Sequence, residues 1–386
     1  MPSSRPQIPE ATKIRVWAKA AGRCTLCNTL VTESGSLGEV VSIGELAHNV
    51  GWAERSPRGA STLSTEERTE AENLLLLCRN CHKPVDASGA IGRYSVEELA
   101  RFKQEHEQRI EVLTEVGADR QAALVRVVGA IRGAQPELTY DTALGALVRS
   151  GNFPSMLPNA YRSAYELDLT SITDPYTLDD FVECTRQIDS LIERINDGIR
   201  LGGIARLAVF GFARIPLLVH LGAKLDDKVP ALVFQRQRTD TENAWSWPAD
   251  AESADFDIVL AQEGSDSEHV ALVLGLSGTI PVGQLPMEHQ STYAIYAINP
   301  RPPAVPGPSL VQSSITLDNF GRAMREFFAV VEANHGKIPR VDLFPAVPVS
   351  AAVTVGRALM PSISPALRVF DRGEDGDFFE AIEVSR

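Results

Sequence analysis

The chain has 386 residues, more than one ordinary hydrophobic core accommodates, so two or three domains are expected. Its composition, 44% hydrophobic and 23% charged, is that of a soluble globular protein, and a net charge of -13 argues against constitutive nucleic-acid binding through a basic face. No apolar run is long enough to span a bilayer, and Met1-Pro-Ser-Ser-Arg-Pro6 lacks a signal-peptide core, so no membrane association and a cytoplasmic location are expected.

Residues 9–22 read as a helix with Ile14, Val16 and Trp17 as its apolar contacts and Gly22 as its C-terminal cap. A knuckle, Cys24-Thr-Leu-Cys27, follows. Residues 40–48 form a strand that ends at His48, and 49–72 form a polar loop. Asn73 then opens a run of four leucines, a short buried strand that enters a second knuckle, Cys78-Arg-Asn-Cys81-His82, and a short helix. Ser95-Val-Glu-Glu98 has capping-box spacing and starts a longer helix to about residue 113, in which His106 is read as solvated.

Near Gly117 the texture changes to strands separated by helical stretches, which points to βαβ units and parallel sheet. The expected order is strand 123–131, a turn at 133–136, helix 139–149, strand 165–170, helix 178–199, strand 205–211, helix 216–225 and strand 230–235. A second round has strands at 256–260, 270–277 and 293–299, a proline-rich loop at 300–308, helix 317–334, strand 340–344 and a closing helix at 349–359. Two rounds of similar size, about 120–250 and 251–386, suggest a duplicated Rossmann-like module. Cys184 falls in an amphipathic helix as a free buried thiol. Acidity is uneven: residues 1–116 hold 14 Lys+Arg against 16 Asp+Glu, the rest 23 against 34.

Two C-x2-C pairs in a chain without a secretion signal are the ligand set of a tetrahedral structural zinc, here Cys24, Cys27, Cys78 and Cys81. His48, Asn73 and His82 stand beside that cage and need another role. Phosphodiester hydrolysis needs a base for water and a divalent cation on the phosphate, and two imidazoles with an orienting amide meet that need. The pattern Cys-x2-Cys…Ala-His-Asn…Glu-Asn-Leu-Leu-Leu-Leu-Cys-x2-Cys-His-x3-Asp, over roughly residues 12–105, resembles the HNH endonuclease family with its ββα-metal fold. The resemblance implies His48 as general base, Asn73 as orienting residue, and His82 as ligand to a catalytic divalent metal, Mg2+ or a transition metal. Ala47 stands where many members carry an acid; either Asp86 helps to hold the cation, or water fills the position. Asp86 reads equally as a helix-stabilising acid, and Glu45 as a less suitable substitute.

In the C-terminal two-thirds, ligands of parallel α/β sheets are expected beyond the carboxyl ends of the strands. Candidate ligand-binding residues in those turns and beside them are Phe212, Arg214, Gln235, Ser277, Gly278, Thr279, Ala346 and Pro348; Trp245 and Trp247 in Asn243-Ala-Trp-Ser-Trp247 are candidate stacking surfaces. By domain order and size the chain resembles the HNH–SAVED effector nucleases of bacterial CBASS anti-phage systems: an HNH domain at 1–116 and a SAVED sensor of two fused CARF-like modules at 117–386. That resemblance implies activation by a cyclic di- or trinucleotide, degradation of double-stranded DNA, and a homo-oligomer, a dimer that assembles further on binding. Two other readings stay open: an ungated restriction-type HNH nuclease with a C-terminal DNA-recognition domain, and a non-catalytic zinc-ribbon adaptor with a sensory domain.

Overall fold

A computed structural model of the chain describes all residues except 1–6, 33–42, 88–91, 116, 132, 134–136, 156–163, 173–175, 226–228, 238–243, 249 and 266. The first part of the expected strand 40–48, most of the turn 133–136, and Asn243 lie outside the described residues. The chain divides into two compact units, Met1–Gly117 and Ala118–Arg386. Among the described residues no helix is long and apolar enough to cross a membrane.

In the first unit α1 (Glu10–Lys19) buries Val16 and half-buries Trp17, while Ile14, expected as an apolar contact, is 62% exposed. Positive φ at Ala21 and Gly22 turns the chain toward the first knuckle. β1 (Gly44–His48) pairs antiparallel with β2 (Leu74–Cys78), His48 opposite Leu74. β2 is buried on both faces, which is why its four leucines run without alternation. α2 (Arg79–Val85) leaves β2 directly, and α3 (Val96–Thr114) is capped by the Ser95 side chain, which accepts from the Glu98 N–H. His106, expected in solvent, is buried against the end of α1: its Nε2 lies 3.2 Å from the Ala20 carbonyl, and Arg109 meets its Nδ1 at 2.8 Å. Burial holds this imidazole below its ordinary pKa, so it stays neutral near pH 7. The polar loop before β2 is no loose connector. Buried Arg68 donates to the carbonyls of Gly51, Gly59, Ser61 and Leu63 and so ties the loop to itself.

The second unit opens with β3 (Gln121–Val128), α4 (Tyr140–Arg149), β4 (Phe153–Pro154), β5 (Ala164–Asp168), α5 (Leu178–Arg200), β6 (Leu207–Phe212), α6 (Ile215–Leu225) and β7 (Ala231–Phe234). These strands form a wholly parallel sheet in the order β5–β3–β6–β7, with β4 pairing the first residues of β3. Then follow β8 (Phe256–Gln262), β9 (Val270–Gly275), α7 (Met287–Thr292), β10 (Ala294–Pro300), α8 (Ser314–His335), β11 (Arg340–Ala346), α9 (Val349–Arg357), β12 (Ala366–Arg372) and β13 (Phe378–Val384). The second sheet runs β8–β10–β9–β11–β12–β13, its inner four strands parallel and its two edges antiparallel. The order β10–β9–β11–β12 repeats β5–β3–β6–β7, so the duplication is present as topology. The sequence reading stopped at α9 and missed β12 and β13, together with α7.

Strand residues alternate between clusters. In β9, Val270, Leu272 and Leu274 face the large shared core with α5, α6, α8 and α9, whereas Ala271 and Val273 face a smaller outer core. The two halves meet where α6 packs on α9. Gly222 and Gly356, each the eighth residue of its helix, lie so close to the opposite backbone that a Cβ would come within 2.0 Å of the carbonyl oxygens of Val353 and Val219, respectively. Gly222→Ala should therefore destabilise this unit by about 3 kcal/mol, the upper range for overpacking, because backbone cannot swing aside as a side chain can. A thermal melt of the variant checks this, and an unchanged midpoint would refute the contact.

Candidate functional site

Both sheets of the second unit have their strand order reverse at one point, between β3 and β6 and between β9 and β11. Ligands of open parallel sheets bind outside the carboxyl ends of strands at such points. A cavity of about 990 Å3 lies there, reached by the turns after β6 and β11 and by the ends of β7, β9 and β12. The first residues of α6 and α9, Ile215 and Val349, both line it. Phe212, Arg214, Gln235, Ser277, Gly278, Thr279, Ala346 and Pro348, named from sequence, are all in its wall. The N–H groups of Leu276 and Ser277 both bond to the Ala346 carbonyl, at 3.0 and 2.7 Å, which joins the turn after β9 to the end of β11.

Trp245 and Trp247 are not in the cavity wall, which corrects their reading as stacking surfaces. Trp245 is 1% exposed and meets Phe210 edge-on at 5.7 Å in the outer core of the first sheet; Trp247 packs against the large shared core. A buried indole there is worth more as core than as a ligand platform. Gln235 is in the wall, but its amide is engaged. Its Oε1 accepts from the N–H and hydroxyl of Ser350 at 3.2 and 2.8 Å, and its Nε2 donates to the Arg236 carbonyl.

Three arginines face the cavity, Arg214, Arg236 and Arg372, against one acid, Asp371. Arg214 pairs with Asp371 at 3.2 Å, both largely buried. The remaining positive charge makes an anion-seeking pocket within a chain of net charge -13. Sequence reading missed Arg236, Asp371, Arg372, Phe370 and Phe378. The alternation in Ala366-Leu-Arg-Val-Phe-Asp-Arg372 was the signal for a strand there. Beneath this wall Asp342 takes His289 at 2.7 Å and Arg368 on one carboxylate. Burial pushes that carboxyl up, but the bonds from His289 and Arg368 outweigh it and hold it below the ordinary range.

In the first unit the sulfurs of Cys24, Cys27, Cys78 and Cys81 lie within 4.8 Å of one another. A tetrahedral ion with metal–sulfur bonds of about 2.3 Å sets sulfurs ~3.8 Å apart, and Cys27 and Cys78 stand at 3.7 Å. The donor set fits a thiolate-bound metal. Burial raises the Cys27 thiol, but hydrogen bonding with Thr29 and contacts from Cys24 and Cys81 outweigh it and bring it down to about 6; burial and the neighbouring sulfurs push Cys81 up. The first knuckle is fastened to the leucine strand by a bond from the Thr25 N–H to the Leu76 carbonyl at 2.8 Å.

The structure brings His48, Asn73, His82 and Asp86 around the β1–β2–α2 motif. His48 is buried at the end of β1. Asn73 clamps the segment that follows: its Oδ1 accepts from the Val50 N–H at 2.8 Å, and its Nδ2 donates to the carbonyls of Val50 and Arg68. His82 stands between two carboxylates, Glu45 at 2.7 Å from Nδ1 and Asp86 at 3.2 Å from Nε2. The His82 hydrogen bond holds the Glu45 carboxyl below its ordinary range, against an upward push from burial. Glu45 is thus nearer to the histidine than the sequence reading allowed, because the register that pairs Gly44 with Cys78 and Glu45 with Leu77 sets it beside the start of α2. Buried Arg58, also missed, bonds the carbonyls of His48, Asn49 and Val85 and pairs with Asp86 at 2.8 Å.

A duplicated α/β unit with a basic cavity at two strand-order reversals defines a ligand-receiving module. The chain matches the SAVED family, the SMODS-associated and fused to various effectors sensor domain, over residues 187–384. That is just over half of the chain, and the protein belongs to this family. Among solved structures it is similar to the Acinetobacter baumannii Cap4 SAVED/CARF-domain containing receptor with the cyclic trinucleotide 2'3'3'-cAAA (TM-score 0.47, 14% identity, covering 75% of this chain and 61% of that one). The same receptor with 3'3'3'-cAAA gives a TM-score of 0.47 and 13% identity, covering 78% and 65%. The chain therefore spans less than two thirds of the length of these structures. No curated protein matches it.

Proposed function

We propose that the protein is a cytoplasmic CBASS effector in which a cyclic di- or trinucleotide, bound in the cavity of the second unit, switches on a DNA endonuclease carried by the first. The cavity carries this reading. It stands at the strand-order reversals of both halves, is large enough for a cyclic oligonucleotide, and sets three arginines against one aspartate. Phosphodiester anions are the chemistry such a wall recognises.

In the nuclease unit the four cysteines would hold zinc as a fastener, while His82 with Asp86 and Glu45 would hold a divalent cation. That cation, when bound, supplies positive charge at the scissile phosphate. His48 takes the proton of the attacking water, and Asn73 fixes the backbone that carries His48 by gripping Val50. Arg58 connects the His48 carbonyl to Asp86, so base and metal-holding groups share one support. Double-stranded DNA is the substrate, and a dimer that assembles further on ligand binding would bring several nuclease units onto one duplex and offset the acidity of the chain.

Calorimetric titration with a panel of cyclic di- and trinucleotides, in parallel with plasmid cleavage, tests this. One member is expected to bind at about micromolar Kd or tighter and to be required for cleavage. Cleavage as fast without it would overturn the gating, and binding by none would overturn the sensor.

A further inference from the structure

We infer that Arg236 and Arg372 form a matched pair of arms, one from each half, that grip two phosphodiester groups of a single ligand; the inference rests on the sensor reading above. The match follows from strand register. Val209 and Leu343 each stand six residues before the first residue of the following helix, α6 or α9. Their partners on the neighbouring strands are Val233 and Val369, and three residues further along lie Arg236 and Arg372. Each guanidinium sits over an aromatic ring in the same cavity wall, Arg236 over Phe212 at 5.6 Å and Arg372 over Phe378 at 4.4 Å. A guanidinium lying on a ring keeps its in-plane N–H donors available to an anion.

The residue before each arginine braces its arm against the opposite half. Gln235 bonds Ser350 at the start of α9, and Asp371 pairs with Arg214 just ahead of α6. Both arms therefore leave strand ends that are fixed across the interface, and their spacing is set before any ligand arrives.

The arms are not equally ready. The Nε of Arg236 is buried without a hydrogen-bond partner among the described residues, so no bond there has to be exchanged before the guanidinium turns to a phosphate. Arg372 is occupied: it donates to Gln284 Oε1 at 2.8 Å and to the Gly376 carbonyl at 3.4 Å. A phosphate that takes the Nη2 edge of Arg372 competes with Gln284 for it, so Gln284 acts as the ligand's stand-in at that edge.

The test is titration of the full chain and three variants with the same panel of adenine- and guanine-containing cyclic di- and trinucleotides, with thermal melts to verify folding. Arg236→Ala is expected to weaken the ligand that binds wild type by ~30-fold or more, and Arg372→Ala by ~10-fold, as for loss of a charge-assisted bond to phosphate. Gln284→Ala is expected to tighten binding, because Arg372 no longer has to exchange partners. Wild-type affinity in both arginine variants overturns the pair and leaves the sensor reading standing. No binding by wild type overturns both. Unchanged or weaker binding by Gln284→Ala overturns its stand-in role.

Discussion

Cys24→Ser is expected to unfold the first unit while the second keeps its own melting transition. Cys24 is wholly buried among the leucines of β2, and its sulfur belongs to the four-thiol cluster. The core beside it is small: Val16, Ala20, Val31, four leucines, Val85 and Leu99 supply most of its bulk. If the cluster holds zinc as proposed, the metal supplies much of the stability of so small a core, since structural zinc contributes apparent free energies on the order of 10–16 kcal/mol in small zinc domains at pH 7. Loss of one thiolate removes much of that. Metal content by mass spectrometry and amide exchange over the two units would show it. Bound zinc at full stoichiometry with protected amides in β2 would mean that three ligands suffice, and the expectation would fail.

His48→Ala is expected to lower ligand-stimulated DNA cleavage by ~10²–10⁴-fold, the usual worth of a positioned general base. Ligand binding should be unaffected, since the cavity belongs wholly to the second unit. His48 lies at the last position of β1, and the chain beyond it is held by Asn73 and Arg58, so the fold should survive. Cleavage at the wild-type rate would leave the first unit as a metal-bound platform without chemistry, the adaptor reading. Circular dichroism and the metal content of the variant separate lost chemistry from lost structure.

How much of this was legible before the structure depended on whether the cause was local. The leucine strand, the paired knuckles, the Ser95 cap and the alternation of strands with helices are short-range patterns, and each element lies close to where periodicity puts it. Arg58 was invisible because nothing in its neighbourhood announces burial; its partners include Val85 and Asp86, far along the chain. Counting residues from His48 discounts Glu45, although its contact with His82 is made between β1 and α2, which the pairing of β1 with β2 brings together. His106 reads as a solvated side chain because its helix is charged, yet one stripe of that helix faces α1. Trp245 failed in the opposite direction: an aromatic in a polar segment invites a functional reading, and the molecule uses it to fill space beside Phe210 and Phe234. Of the cavity, the turns after β6, β9 and β11 were placed from strand-to-helix geometry, but the wall from β12 and β13 was lost with those strands.

The glycine crossing of α6 and α9 bears on how the two halves can change over time. Where two identical chains meet about an axis, every substitution is made twice, once on each side. Joined in one polypeptide, the copies are free to drift apart, provided that the contact between them is kept. Gly222 and Gly356 are that fixed point, since neither tolerates a side chain. Around it the copies already differ: Gln235 stands where its counterpart is Asp371, and Arg214 where the other half has Pro348. A lineage built on this scaffold can alter one wall of its receptor at a time and follow a changing signal without dismantling the frame.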